Sequence, residues 1–193
     1  FVHGPGNVNT TKPIGSYKDL VGMKMRVGGG VANDVGTALG VAGVNMPAPA
    51  VYEAISSGVT DGVFFPMETM YAFKIAELAK HTYSNPQGMY TTAFGLIMNS
   101  DSYDDLSVAH KACVDKLTGV EMARRVGTYW DEADALGLEK FKEAGGKLTV
   151  ASAADQAYFA EKTAGIEAKV VAAASERGVD GAAALAYFRS QLK

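Results

Sequence analysis

The sequence predicts an α/β fold whose second half is helix-rich. Strand-like and helix-like segments alternate over roughly the first hundred residues, which implies a layer built on a largely parallel sheet. The period then changes to that of long amphipathic helices. With 193 residues, 48% hydrophobic and 20% charged, the chain can bury a substantial core without disulfides.

Residues 1–16 read as extended chain or loop. Gly4, Pro5, Gly6, Pro13 and Gly15 oppose a helix, and the segment has too few apolar residues for an independent strand. In Met23-Lys24-Met25-Arg26-Val27, Met23, Met25 and Val27 share one face of a strand and Lys24 and Arg26 the other. Gly28-Gly29-Gly30 ends it, and Asn33 suits the N-cap of a short helix through Leu39. Asn45 to Pro47 re-enters as a strand or turn, and Pro49 fits the first turn of a helix through about Ser57. Val63-Phe64-Phe65 is a short buried strand stopped by Pro66. A helix follows from Met67 to about Lys80, with Met67, Met70, Tyr71, Ile75 and Leu78 on one face. Met89 to Met98, apolar and uncharged, reads as the clearest strand. Ser102-x-x-Asp105 opens helix that runs to about Ala144, with breaks possible near Gly119 or Gly137. Lys147 to Val150 is a strand. Ser152-x-x-Asp155 opens a helix that stops at Gly178, and a last helix starts near Gly181.

Composition narrows the function. Eighteen basic against twenty-one acidic residues give a net charge of −3, which offers no electrostatic case for nucleic acid or an anionic membrane. Cys113 is the one cysteine, so neither an internal disulfide nor a paired-cysteine zinc site is available, and the redox compartment stays open. The stretch Val35 to Tyr52 lacks charge, but Gly36, Gly40, Gly43, Asn45, Pro47 and Pro49 break it as a span. The chain opens on Phe1 without a signal pattern, so a processed, trimmed or partial chain is expected.

Arg26 is the most informative residue. It lies at the carboxyl end of a predicted strand, followed by three glycines, which is where open α/β sheets bind ligands. A planar guanidinium suits a carboxylate through a bidentate pair. A surface arginine on a half-exposed strand is the competing reading. The glycine run is not a nucleotide loop, since Asn33 stands where a dinucleotide fingerprint needs glycine and no Lys-Ser/Thr pair follows. No nucleophile elbow or metal-ligand spacing appears among His3, His81 and His110. His110 and Cys113 read as neighbours packed along one helix, and no catalytic residue or cofactor is assigned. Of Phe64 and Phe65, alternation sends one to the core and leaves the other to line a pocket. Tyr129 and Trp130 read as helix packing.

Three strings together resemble the solute-binding proteins of TRAP (tripartite ATP-independent periplasmic) transporters, the DctP-like family. Asp19-Leu20-Val21-Gly22-Met23-Lys24-Met25-Arg26 is similar to its DLxGxKxR segment. Met46 to Ile55, with Val51-Tyr52-Glu53-Ala54, is similar to its MP…EVYEAL helix, and Gly58 to Gly62 to its GVVDG turn. The Phe1 to Gly6 opening and the Leu96 to Asn99 segment also fit, so the motifs cover about residues 1–110.

The resemblance implies a two-lobed periplasmic binding protein that closes on an organic acid and delivers it to TRAP membrane subunits. Arg26 falls on the family arginine that pairs with the ligand carboxylate. Phe65 falls where sialic-acid-type members place an Asn, which implies an acid with an apolar or aromatic body. Further ligand contacts are implied from Gly28, Met46, Ala48, Phe64 and Gln87. No counterpart of the first lobe is seen. The chain therefore divides into a hinge or lead-in segment (1–16), an α/β ligand-binding lobe (17–90), a crossover strand with long helices (91–145) and a returning strand with helices (146–193). Without the other lobe, Arg26 is expected to face water, and the exposed half-core to favour a homodimer. The alternatives are a small α/β enzyme acting on an anionic metabolite and a self-associating fragment without ligand uptake.

Overall fold

Strand β2 (Lys24–Val27) sets the frame. Met25 and Val27 turn into one core with Val8, Leu20, Phe64 and Tyr83, while Arg26, between them, turns to the opposite face of the sheet. That face carries a second core of Val51, Val63, Met70, Ile75 and Phe141. The computed structural model describes residues 1–191. Among them six strands form a sheet of order β3-β2-β4-β1-β5-β6. β3 (Ala42–Asn45) and β4 (Gly62–Phe65) lie parallel to β2, and β6 (Lys147–Val150) lies parallel to β5 (His81–Ser84). Only β1 (Asn7–Thr10) runs against its neighbours, pairing antiparallel with β4 and β5. The α/β class expected from the sequence is the one observed.

β1 corrects the reading of residues 1–16 as loop. The segment Asn7-Val8-Asn9-Thr10 is wholly buried at the centre of the sheet. It needs no apolar pattern of its own, because strands flank it on both sides and its polar side chains are paired. Asn9 Nδ2 donates to the Phe65 carbonyl at 3.2 Å, Asn9 Oδ1 accepts from the Thr82 hydroxyl at 2.8 Å, and Asn7 donates to the Pro5 carbonyl. Gly62 permits the tight β1–β4 approach, since a Cβ there would sit 2.2 Å from the Asn9 carbonyl oxygen.

The helices depart from expectation at their ends. α1 (Val31–Ala38) starts ahead of Asn33: its N-cap is Gly30 at φ 62°, whose carbonyl accepts from the Asn33 and Asp34 amides. A 3₁₀ turn at Ala48–Ala50 runs into α2 (Val51–Ser56), with Pro49 inside the turn as expected. The helix expected over 67–80 is only α3 (Glu68–Ala72). Lys74, at φ 56°, breaks it ahead of a 3₁₀ turn at Ile75–Glu77. β5, unforeseen, follows. Its short His-Thr-Tyr-Ser run carries little apolar signal and is held by β1 and β6 on either side.

Residues 89–98 form no strand. Their one ladder contact among the described residues is the Val2–Ala93 bridge, and Leu96, Ile97 and Met98 are exposed. Apolarity alone does not make a strand where no partner edge is offered.

Asn99, not Ser102, caps α4 (Ser100–Asp104), and Ser107 caps α5 (Val108–Leu117). α6 (Gly119–Glu143) begins at the break expected near Gly119 and passes straight through Gly137. Ser152 caps α7 (Ala153–Thr163) as expected, but a break at Gly165 separates it from α8 (Ile166–Glu176), and α9 (Gly181–Gln191) ends the described chain. The Tyr83 hydroxyl donates to Asp155 Oδ2 at 2.8 Å, fastening α7 to the sheet.

α6 matters most for the site. Gly137 lets it settle on the start of α3, because a Cβ there would lie 2.1 Å from the Met67 carbonyl oxygen. One turn earlier, Asp134 Oδ1 accepts from the Glu68 amide at 2.7 Å. Phe141, one turn later, is fully buried in the second core.

Candidate functional site

The carboxyl ends of β2 and β4, the start of α3 and the middle of α6 enclose a cavity of about 370 Å³, within the range of small-molecule sites. Arg26 is its cation. The residue is 8% exposed, and its guanidinium carbon lies 4.6 Å from the centre of the Phe65 ring. Its Nε and Nη2 both donate to the Met46 carbonyl, at 3.1 and 3.0 Å, which fixes the plane of the group. The remaining N–H groups have no partner among the described residues, and Arg26 belongs to none of their ion pairs. Burial pulls the guanidinium below its ordinary range, with Tyr90 opposing, yet an arginine so placed stays charged at neutral pH. Arg26 is thus more shielded than expected, being packed beside Phe65, while its free N–H groups face the cavity.

Those walls are aromatic. Phe65 stacks on Phe73 with centroids 5.8 Å apart, and Phe94 stacks on Trp130 at 5.2 Å. Both pairs line the cavity, so an apolar body held here meets ring faces and edges. Two further groups set its electrostatics. The carboxyl of Glu68 is pushed up to about 6, chiefly by burial, with Asp134 adding to the rise and the Trp130 indole opposing it. The Tyr90 phenol is pushed up by burial, against the pull of Arg26.

Of the residues singled out in the sequence, Arg26, Gly28, Ala48 and Phe65 come together around this cavity. Met46 contributes its carbonyl to Arg26, while its side chain packs against the second core. Phe64 does not reach the cavity. Alternation sends it into the first core, where it is fully buried. Gln87 lines an adjoining cavity that shares His3 and Tyr90 as walls. Sequence reasoning missed Glu68, Phe73, Tyr90, Phe94 and Trp130. Glu68 carried a weak signal, being a charge placed two residues beyond a strand stop; Trp130 carried none, since only the seating of α6 brings it here.

An α/β sheet with a walled cavity at the carboxyl ends of its strands is the architecture of proteins that hold small molecules. The chain belongs to the DctP family, bacterial extracellular solute-binding protein family 7, whose model matches residues 3–173. It is similar to a TRAP periplasmic solute-binding protein of Bordetella bronchiseptica solved with bound (R)- and (S)-mandelate, at 38% identity and a TM-score of 0.93, covering 98% of this chain and 61% of that one. It is also similar to a marine metagenome TRAP solute-binding protein specific for aromatic acid ligands, solved with 3-hydroxybenzoate, at 37% identity and a TM-score of 0.88, covering 94% and 58%. A curated relative, the C4-dicarboxylate-binding periplasmic protein DctP of Rhodobacter capsulatus, is 28% identical over 138 residues, 71% of this chain and 38% of its own length. The chain thus spans under two thirds of each of these proteins. The relatives are binding proteins rather than enzymes, which disfavours the metabolite-enzyme alternative. No helix among the described residues is long and apolar enough to cross a membrane.

Proposed function

We propose that this chain is the ligand-holding part of a periplasmic receptor that captures an aromatic monocarboxylate on Arg26 and hands it to the membrane subunits of a TRAP transporter. The observation that carries this reading is a buried guanidinium, oriented by Met46, with N–H groups unoccupied at the end of a cavity walled by two aromatic stacks. The ligand carboxylate takes the unoccupied N–H groups, and its ring lies among Phe65, Phe73, Phe94 and Trp130. Gly28 and Ala48 line the cavity with small residues that leave room for the acid. Binding of mandelate and 3-hydroxybenzoate by the relatives supports an aromatic acid.

One carboxylate fits better than two. Arg26 and His3 are the basic residues lining the cavity, and Glu68 lines it too, so a second carboxylate meets a like charge rather than a second guanidinium. In this reading the ligand is held by residues 17–90 together with His3, Phe94 and Trp130, which the fold brings to the same cavity from outside that range. Residues 91–145 lead toward the portion of the longer relatives that these 193 residues do not span, along the exposed Leu96, Ile97 and Met98.

Thermal shift with a panel of acids tests the proposal. Benzoate and mandelate are expected to raise Tm, because a ligand at about a hundred times its Kd adds about 2.7 kcal/mol to the folded state. Succinate and glucuronate are expected to leave it unchanged. Stabilisation by succinate or glucuronate with none by benzoate contradicts the proposal.

A further inference from the structure

Resting on the aromatic-acid reading, we infer that Glu68 is a second ligand-reading group in this cavity, the acceptor for a hydroxyl carried by the bound acid, so that hydroxylated aromatic acids are selected over their unsubstituted and methoxy counterparts.

The polar groups lining the cavity separate into occupied and available ones. The Thr69 hydroxyl donates to the Pro66 carbonyl at 2.7 Å, and His3 Nδ1 is engaged with the Gly4 carbonyl. Arg26 is oriented by Met46 and meets the ligand carboxylate. The Tyr90 and Thr92 hydroxyls line the cavity as well, and Glu68 differs from all of these in being a carboxyl, which accepts and does not donate when ionised. Its amide is taken by Asp134, but its carboxyl joins no ion pair among the described residues. The groups that act on it are Asp134 and Trp130 from α6, while Arg26 and His3 line the same cavity. Of these, Asp134 raises its proton affinity and the Trp130 indole N–H lowers it.

A partly buried carboxyl with acceptor capacity to spare is costly, and a donor brought by the ligand relieves that cost. A ligand hydroxyl supplies such a donor. A methoxy group brings only an acceptor, and a bare ring edge brings a much weaker C–H contact. The aromatic stacks give no such discrimination, because they bind every ring by its faces. A site built to bond a hydroxyl rejects the analogue lacking it more strongly than an apolar pocket does.

Isothermal titration with benzoate, 3-hydroxybenzoate, 4-hydroxybenzoate and their two methyl ethers tests the inference, the ratio of affinities being the readout. In the native protein one hydroxybenzoate is expected to bind at least about tenfold more tightly than benzoate and than its own ether. Glu68→Leu is expected to bring that ratio to about one. Glu68→Gln, which keeps an acceptor but not the charge, is expected to lower it at least about threefold, and decides the matter if the leucine variant does not fold. A native ratio near one, or a ratio unchanged in Glu68→Leu or Glu68→Gln, overturns the inference. Benzoate binding that depends on Arg26 while the hydroxyl ratio is flat sinks this inference alone; absence of binding by every acid in the series sinks the aromatic-acid reading with it.

Discussion

Replacing Arg26 with alanine is expected to abolish ligand-induced stabilisation while leaving a folded protein. Truncating one partner of a desolvated, hydrogen-bonded charge pair costs about 2–5 kcal/mol of binding, or about thirtyfold to several-thousandfold in Kd. The burial of Arg26 places it in that regime rather than among exposed pairs worth about 0–1 kcal/mol. A benzoate concentration about a hundred times the native Kd stabilises the native protein by about 2.7 kcal/mol. After a hundredfold loss of affinity the same concentration contributes about 0.4 kcal/mol, too little to shift Tm clearly. Arg26→Lys is expected to recover little of this. An ammonium lacks the planar fork that holds the Met46 carbonyl through Nε and Nη2 while keeping the group 4.6 Å from the Phe65 ring centre. Full benzoate binding by either variant would place the carboxylate elsewhere.

Gly137→Ala is the second large effect expected. Helix propensity alone favours alanine at an interior helical site by about 1 kcal/mol. The Cβ, however, would meet the Met67 carbonyl oxygen at 2.1 Å and Glu68 Cα at 2.9 Å, and backbone atoms cannot rotate aside as a side chain does. The clash decides the sign. A net loss of about 2 kcal/mol is expected, a fall of roughly 4–8 °C in Tm for a chain of this size. Benzoate binding should weaken alongside, because the displaced helix carries Trp130 out of the cavity wall and Asp134 off the Glu68 amide. Gly127→Ala in the same helix is the control. Its Cβ meets nothing within 4 Å, so a gain of up to about 1 kcal/mol is expected there. If both alanines stabilise equally, α6 is not seated through Gly137.

The contrast between these glycines shows what the sequence could and could not tell. Arg26 was legible because two local rules met at it: alternation along a strand put it opposite Met25 and Val27, and the glycines after it marked a strand end. The same alternation divides Phe64 and Phe65 between core and pocket, but which of the pair does which needs the register, and it is Phe64 that lies in the core. β1 and β5 were not legible. Asn7 to Thr10 and His81 to Ser84 owe their strand conformation to neighbours on both sides, with Asn9 paired to Phe65 and Thr82, residues 56 and 73 positions away. Residues 89–98 failed in the opposite sense, being apolar enough for a strand but with a single bridge, to Val2, among the described residues. Trp130 and Glu68 reach the cavity through the same long-range seating of α6 on α3. A tryptophan in a helix and an acid after a turn have no local feature that distinguishes a pocket wall from packing or a solvated surface.

The most direct measurement is a crystal structure of the protein grown with benzoate. The ring is expected against Phe65 and Phe73, with a carboxylate oxygen at about 2.8 Å from a guanidinium N–H of Arg26 and the Met46 contacts unchanged. Benzoate held with its carboxylate turned away from Arg26, or seated in the adjoining cavity beside Gln87, would contradict the account.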